Sequence, residues 1–436
     1  MARMMKDSGI DWLGTIPETW EVVPLKYKVK LNQETLTDST SPDYEFDYVE
    51  IGSVNLIDGI KSYEHMKFVD APSRARRIIK KDDIIVSTVR TYLKAIAKVP
   101  NKENLVASTG FAVLTPCNIN ANYLGYMVKT NYFTETVTSH SVGVSYPAIN
   151  ANDLVGFKIL VPPLEEQSKI ARFLDERIGE VDTIISKTKE SIEEYKKYKQ
   201  AVITEVALGG LNKAVTTKSS GIDWIGNIPE HWKIKPFKFV MTERNEKNIP
   251  VKTDERLALS IDKGITTYAE KTTNLDRFKD DVTQYKLAYE GDLVFNSMNM
   301  IVGAIGYSNY FGCVSPVYYT YYDNVEGHYT SKYYEYIFRS KTMRKVLFSL
   351  GKGIMAIDRG DDKINTCRLK VSRDDLRCLK VPVPTEREQQ EIVKYLDAKC
   401  AEIDALIAKK EAFVEEMEAY KKSLIYEYVT GKKEVL

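Results

Sequence analysis

The chain has 436 residues, 43% of them hydrophobic and 28% charged, with a formal net charge of +1. That length is about three domains' worth, and each half could bury a core of its own; the balanced charge neither announces nor excludes nucleic acid. No stretch approaches the roughly 18 uninterrupted apolar residues of a membrane span. The opening MARMMKDSGIDW lacks the apolar core of a secretory signal, and five scattered cysteines without a CxxC pair point to reduced thiols, no structural metal and a cytoplasmic setting.

A motif with two tryptophans opens the chain, SGIDWLGTIPETW from Ser8 to Trp20, with Pro17 marking a turn. Short β-branched and aromatic runs follow, DYVEIGSVNLIDG, DIIVSTV and FAVLT, separated by Gly, Asn and Asp, and these read as strands. A helical patch, YLGYMVKT, comes next. From about Glu165 to Leu208 a long helix is predicted, bounded by Pro162-Pro163 before it and Gly209-Gly210 after it. The order then starts again: SGIDWIGNIPEHW from Ser220 to Trp232, strand-like DLVFNS and PVYYTYY, and the helical stretch SKYYEYIFRSKTMRKVLFSL. Pro382 and Pro384 precede a second long helix that stops at Gly431.

Self-similarity is therefore the main signal. The tryptophan motifs match at an offset of 212 residues, and the helices match at an offset of 222, through Glu166/Glu388, Gln167/Gln389, Leu174/Leu396, Asp175/Asp397, Asp182/Asp404 and Tyr198-Lys199/Tyr420-Lys421. Between these matched ends only echoes remain, such as DDIIVSTVR (82–90) against GDLVFNSMN (291–299). Two frames are alike and two middles differ, a pattern that suits one scaffold carrying two separate recognition surfaces.

A heptad seam recurs along both helices: Ala171, Leu174, Ile178, Val181, Ile185, Thr188, Ile192, Tyr195, Lys199 and Val202, then Val393, Leu396, Cys400, Ile403, Ile407, Lys410, Val414, Met417, Lys421 and Leu424. Two equal seams in one chain predict that the helices pair with each other. The expected fold is α+β: two mixed domains joined by two long helices in an antiparallel coiled coil, with a pseudo-twofold and a quasi-circular arrangement. At 1.5 Å per residue each helix is a rod of roughly 65 Å, which predicts a ruler holding the two domains more than one DNA turn apart. The predicted boundaries are 1–161 and 213–383 for the domains, and 162–212 and 384–436 for the helical regions.

The order GIDWxGxIPxxW, diverged domain, then EQxxI…LD…E-x-D-x-x-I and YK, followed by the whole order again, resembles the specificity subunit of type I restriction–modification systems. The resemblance covers essentially the full chain. It implies that the diverged regions are target recognition domains, each reading one half of a split, asymmetric target in double-stranded DNA. It also implies that the helices dock two methyltransferase subunits and that restriction subunits join the assembly, with no membrane partner and no cofactor.

Motifs for catalysis are absent from the sequence: no GxxxxGK[ST] loop and no NPPF- or DPPY-like tetrapeptide of a base-flipping methyltransferase. Asp82, Asp83 and Asp292 sit beside strands, where turn capping is the expected role rather than metal binding. The chain is thus expected to be non-catalytic. Nine Lys or Arg fall between 74 and 102, and eleven between 332 and 373. In the first domain the candidate DNA-binding residues are Arg74, Arg76, Arg77, Arg90 and Lys94, with Ser141, Gly143, Ser145 and Tyr146 in a loop where the family has a Gly/Ser-rich segment. In the second they are Asn296, Ser297, Asn299, Lys352, Arg359 and Lys363. Trp12, Trp20, Trp224 and Trp232 are expected to pack rather than to stack on bases, because they repeat outside the diverged regions. The alternative function is a coiled-coil scaffold whose outer domains bind other proteins.

Overall fold

Two long helices dominate the computed structural model, which describes residues 3–10, 13–261, 263–271, 281–324, 326–354 and 368–435. The first closing helix runs Leu164–Gly209 and the second Glu386–Val429. Prolines set their starts, and Gly210 (φ 75°) and Gly431 (φ 70°) turn the chain out of them in the left-handed conformation that favours glycine. Thr385 and Glu388 form a capping box at the second start: the Glu388 amide donates to the Thr385 hydroxyl at 3.3 Å, and the Thr385 amide donates to the Glu388 carboxylate at 3.0 Å. Pro163 holds the corresponding place in the first copy and has no hydroxyl to offer. No described helix is long and apolar enough to cross a membrane.

The chain divides into two compact units, Met1–Lys189 with Ala412–Leu436, and Glu190–Glu411. Each unit contains one mixed domain, part of one closing helix and part of the other. In the first unit, Ile170, Ala171, Leu174 and Ile178 share a core with Leu424 and Val429. Asp182 lies 2.6 Å from Lys421, and Lys189 lies 3.3 Å from Glu418. As numbers rise on one helix they fall on the other, so the packing is antiparallel. The second unit repeats this: Val202, Ile203 and Val206 share a core with Ile392, Val393, Leu396 and Cys400, and Lys199 lies 2.6 Å from Asp404. The two pairs Asp182–Lys421 and Asp404–Lys199 join equivalent positions of the repeat. Buried seam positions along both helices agree with the heptad reading.

The first domain has two four-stranded sheets. One orders 96–98, 84–87, 111–116 and 29–31, all antiparallel. The other orders 64–67, 45–49, 105–108 and 75–79, with one parallel pair, 105–107 on 47–49. In the second domain the sheet 242–244, 318–322, 293–296 and 305–307 reproduces the first of these. Two-stranded pairs also recur: 21–24 with 158–161, and 233–236 with 380–383. The sequence echo between 82–90 and 291–299 therefore marks the same central strand. The diverged middles share a frame, and the fold is α+β.

Asn131–Ser139 is a helix: Thr130 caps its Phe133 amide and its Tyr132, Phe133 and Val137 side chains are buried in the domain core. One local difference from the sequence reading has a physical cause. The single predicted helix at 331–350 breaks at Ser340, whose extended backbone ends Tyr329–Arg339 and whose hydroxyl caps Lys341–Leu350.

Trp20 and Trp232 are fully buried and Trp224 packs against the second core, as expected. Trp12 lies outside the described residues. Tyr123 hydroxyl donates to the Leu160 and Val429 carbonyls. In the second unit the same two places are filled by separate residues, Tyr334 on Pro382 and Tyr333 on Ala207. Each domain is thus fastened both to the strand before its own closing helix and to the end of the other helix.

Candidate nucleic-acid interface

The central sheet strand of each domain leads into a short 3₁₀ turn, exposed at Tyr92 and Leu93 in the first domain and buried at Met300 and Ile301 in the second, where Asn299 just before it is exposed. After strand 84–87 the chain makes a single 3₁₀ turn at Thr91–Leu93; after strand 293–296 it makes one at Met300–Val302. Equivalent backbone bonds fix both. Ser87 amide donates to Ala95 carbonyl at 2.9 Å, and Asn296 amide to Ala304 carbonyl at 3.1 Å. Ile149 amide donates to Thr88 carbonyl at 2.9 Å, and Val371 amide to Ser297 carbonyl at 3.1 Å.

Just before these turns, each sheet strand begins at a buried carboxylate. Asp83 accepts from the Lys80 amide at 2.8 Å and the Thr115 hydroxyl at 2.6 Å. Asp292 accepts from the Tyr289 amide at 2.8 Å and from two nitrogens of Arg244, at 2.7 and 3.1 Å. Burial pushes the pKa of both carboxyls up, against the opposing pull of those donors. Arg244 is itself held between the rings of Tyr289 and Tyr322, each 4.4 Å away. These aspartates cap turns, and among the described residues no group of three or more His, Cys, Asp or Glu could hold a metal.

The first domain's turn carries Arg90 and Lys94 at its two ends, both with positive φ (52° and 48°). Non-glycine residues rarely take this conformation, and such strain concentrates at functional loops. The loop 141–147 closes over the turn. Thr91 hydroxyl donates to Ser141 hydroxyl at 2.7 Å, which donates on to the Val137 carbonyl at 2.7 Å. Gly143 has φ 119°, and a Cβ there would stand 3.1 Å from the Tyr146 carbonyl. The ring of Tyr146 lies 4.9 Å from the Arg90 guanidinium. Six candidates from the sequence, Arg90, Lys94, Ser141, Gly143, Ser145 and Tyr146, therefore meet at one place. Lys94 is already paired with Glu135 at 2.6 Å, and Ser141 holds the loop rather than facing solvent.

The candidate loop, in which the sequence reading included Val142, Val144 and Tyr146, forms an apolar rim with Tyr92 and Leu93, which that reading missed. Val142 is 81% and Tyr146 62% exposed, Val144 is fully exposed, and Tyr92 and Leu93 join them. A contiguous exposed apolar patch beside a free guanidinium marks an interaction surface. Two valines flanking a glycine in a Ser-rich loop were its only sequence trace.

Arg74, Arg76 and Arg77 lie at the second sheet of the same domain. Arg74 is exposed and its carbonyl accepts from the Thr109 amide. Arg76 stacks on Phe68 at 4.7 Å, and Arg77 donates to Thr35 at 3.2 Å while burial lowers its pKa. The last two are thus partly engaged within the fold.

In the second domain Asn299 is exposed at the start of its turn, and Asn296 accepts the Met298 amide at 3.1 Å. Ser297 is completely buried, so its side chain faces the interior and is removed from the candidate surface. It lies just past the end of strand 293–296, where the backbone bond from the Val371 amide covers it, and the Asn-Ser-Met-Asn run did not reveal this. Lys352 is exposed on the strand pair 352–354 with 368–370, 3.5 Å from Asp375. Arg359 and Lys363 lie outside the described residues.

A family model described as the type I restriction modification DNA specificity domain matches residues 17–194. A putative type I restriction enzyme MjaX specificity subunit from Methanocaldococcus jannaschii is 24% identical over 96% of this chain and 95% of its own length. The HindI specificity subunit of Haemophilus influenzae is 32% identical over 28% of each chain. Among solved structures, a chain from a study of complex assembly and conformational transition of the type I R-M system matches with TM-score 0.71 at 22% identity, over 96% of this chain and 99% of that one. The HsdS subunit from Thermoanaerobacter tengcongensis matches with TM-score 0.51 at 22% identity, over 96% and 98%. Residues 17–194 thus match the type I restriction modification DNA specificity domain, and over most of its length the chain is similar to specificity subunits of type I restriction enzymes.

Proposed function

We propose that this chain is the non-catalytic DNA-recognition subunit of a type I restriction–modification complex. Its domains, 1–161 and 213–383, are target recognition domains that read the two unlike halves of a bipartite, asymmetric site in double-stranded DNA. Its helical regions, 162–212 and 384–436, dock two methyltransferase subunits, and restriction subunits join through the complex. The observation that supports this most directly is one frame with two contents. Equivalent turns follow equivalent strands, yet one presents Arg90 beside Tyr146 and the other Asn299. A protein reading one sequence twice has no use for that divergence; a protein reading two half-sites requires it.

Phosphates are served in this reading by Arg74, Lys352, Arg359 and Lys363, and base edges by the turns. The test is a map of methylated motifs in host genomic DNA with and without this gene. A split motif that disappears with the gene supports the reading. A chain that fails to retain DNA at low salt even with its methyltransferase partner overturns it, because phosphate-dominated binding is strongest there.

A further inference from the structure

We propose that Arg90 and Asn299 are the equivalent base-reading residues of the two domains, Arg90 specifying guanine in one half-site and Asn299 adenine in the other. This rests on the recognition reading above and names its chemistry. The equivalence is one of position. Each residue immediately precedes the 3₁₀ turn after the central strand, Arg90 at φ 52° and Asn299 at φ −124°, and each turn ends in a left-handed residue, Lys94 (φ 48°) or Gly303 (φ 100°). The backbone bonds on both sides, Ser87–Ala95 with Ile149–Thr88 and Asn296–Ala304 with Val371–Ser297, correspond pair for pair.

What singles out these two among their neighbours is unspent hydrogen-bonding capacity. The Arg90 guanidinium meets no acceptor among the described residues, only the face of Tyr146, and the Asn299 side-chain amide likewise has no described partner. Lys94 is paired with Glu135, Ser141 with Thr91, and Asn296 with the amide of Met298. A planar guanidinium offers two parallel donors that match the O6 and N7 acceptors of guanine. A carboxamide offers one donor and one acceptor, which match N7 and N6 of adenine. Tyr146 is a positioning residue: stacking fixes the guanidinium plane while leaving its edge open. The exposed Val142 and Val144 beside it supply apolar surface to the same groove.

The experiment uses the chain with its methyltransferase partner and reads methylated motifs across a host genome. Arg90→Ala is expected to leave one position of one half-site degenerate, a position that is G·C in the wild-type motif, with discrimination there falling by ~10–100-fold. Arg90→Gln is expected to move that position toward A·T. Asn299→Ala is expected to loosen one A·T position in the other half-site only. Tyr146→Phe keeps the motif, and Tyr146→Ala loosens the position that Arg90→Ala does. Unchanged motifs in the variants would overturn the proposal, as would loosening of the same half by both, or a loosened position of the wrong base type. Uniform loss of methylation at all sites by Arg90→Ala and Arg90→Gln chains with unaltered melting, restored by Arg90→Lys, would also overturn it, making Arg90 a phosphate contact. Absence of any gene-dependent motif from the wild-type complex instead sinks the recognition reading itself.

Discussion

The indole nitrogen of Trp20 donates to the Glu166 carboxylate at 3.0 Å, tying the first tryptophan motif to the opening turn of the first closing helix. Trp232 and Glu388 repeat the bond at 3.0 Å in the second unit. Both members of each pair are matched across the repeat, one at offset 212 and the other at 222. The bond therefore explains why two stretches so far apart in sequence stayed alike together: a buried indole N–H needs an acceptor, and an acidic side chain also suits a helix N-terminus.

Glu388 makes the second unit acid-sensitive. Burial alone raises its pKa, but hydrogen bonds from Trp232, Thr385 and His231 outweigh it and leave the carboxyl below its ordinary value. A depressed folded pKa gives stabilisation that is complete above the unfolded value of about 4.3 and is lost as pH falls through the folded one. Urea midpoints measured from about pH 7 down to about pH 3 should fall along that limb. Glu388→Gln should lower stability at neutral pH and flatten the acid limb; an unaltered limb contradicts the assignment.

Two glycines should respond in opposite directions to alanine. At Gly431 a Cβ would stand 2.4 Å from Pro17 Cδ, with φ at 70°. Gly431→Ala is expected to destabilise the first unit by about 1–3 kcal/mol. Gly179 lies inside the first closing helix, and a Cβ placed there would meet nothing within 4 Å, so Gly179→Ala should stabilise by roughly 0.5–1 kcal/mol. Thermal melts of the two variants, shifted the same way, would refute the packing described for one of them.

Along the helix pair, the apolar seam should outweigh the ion pairs. Lys199 and Asp404 are 25% and 56% exposed as side chains, and such partly solvated pairs contribute about 0–1 kcal/mol. Leu396 is fully buried, and Leu396→Ala should cost about 2–5 kcal/mol. Denaturant titration of Lys199→Ala and Leu396→Ala decides this; equal losses would place the pairing energy in the charges.

Arg74 is exposed, and no carboxylate pairs with it among the described residues. Arg74→Ala in the DNA-bound complex should weaken all sequences alike and reduce the log–log salt slope by about 0.9, the loss of one phosphate contact. A change in base preference instead would assign Arg74 to a groove.

Periodicity carried the long helices, their ends and their seam, because a buried stripe at heptad spacing and prolines and glycines at the boundaries are local signals. The duplication carried the frame. It also found the central strand in the faint echo between 82–90 and 291–299, since Asp83 and Asp292 must cap the same turn. Local signals failed at Ser340, which ends one helix and caps the next inside a stretch that reads as a single helix. They also failed for Ser297, which reads as a polar neighbour of Asn296 and Asn299 but is buried just past the end of strand 293–296.

The sequence by itself determined that the chain is one unit written twice, that each copy ends in a helix, and that the copies differ between their matched ends. Only the tertiary structure decided which candidates meet. Arg90 and Tyr146 are 56 positions apart and share one surface because loop 141–147 folds over the turn that Thr91 and Ser141 fasten. Contacts of that kind depend on where the backbone returns, and side-chain identity along the chain does not encode the return until the sheet and the helix pair have fixed it.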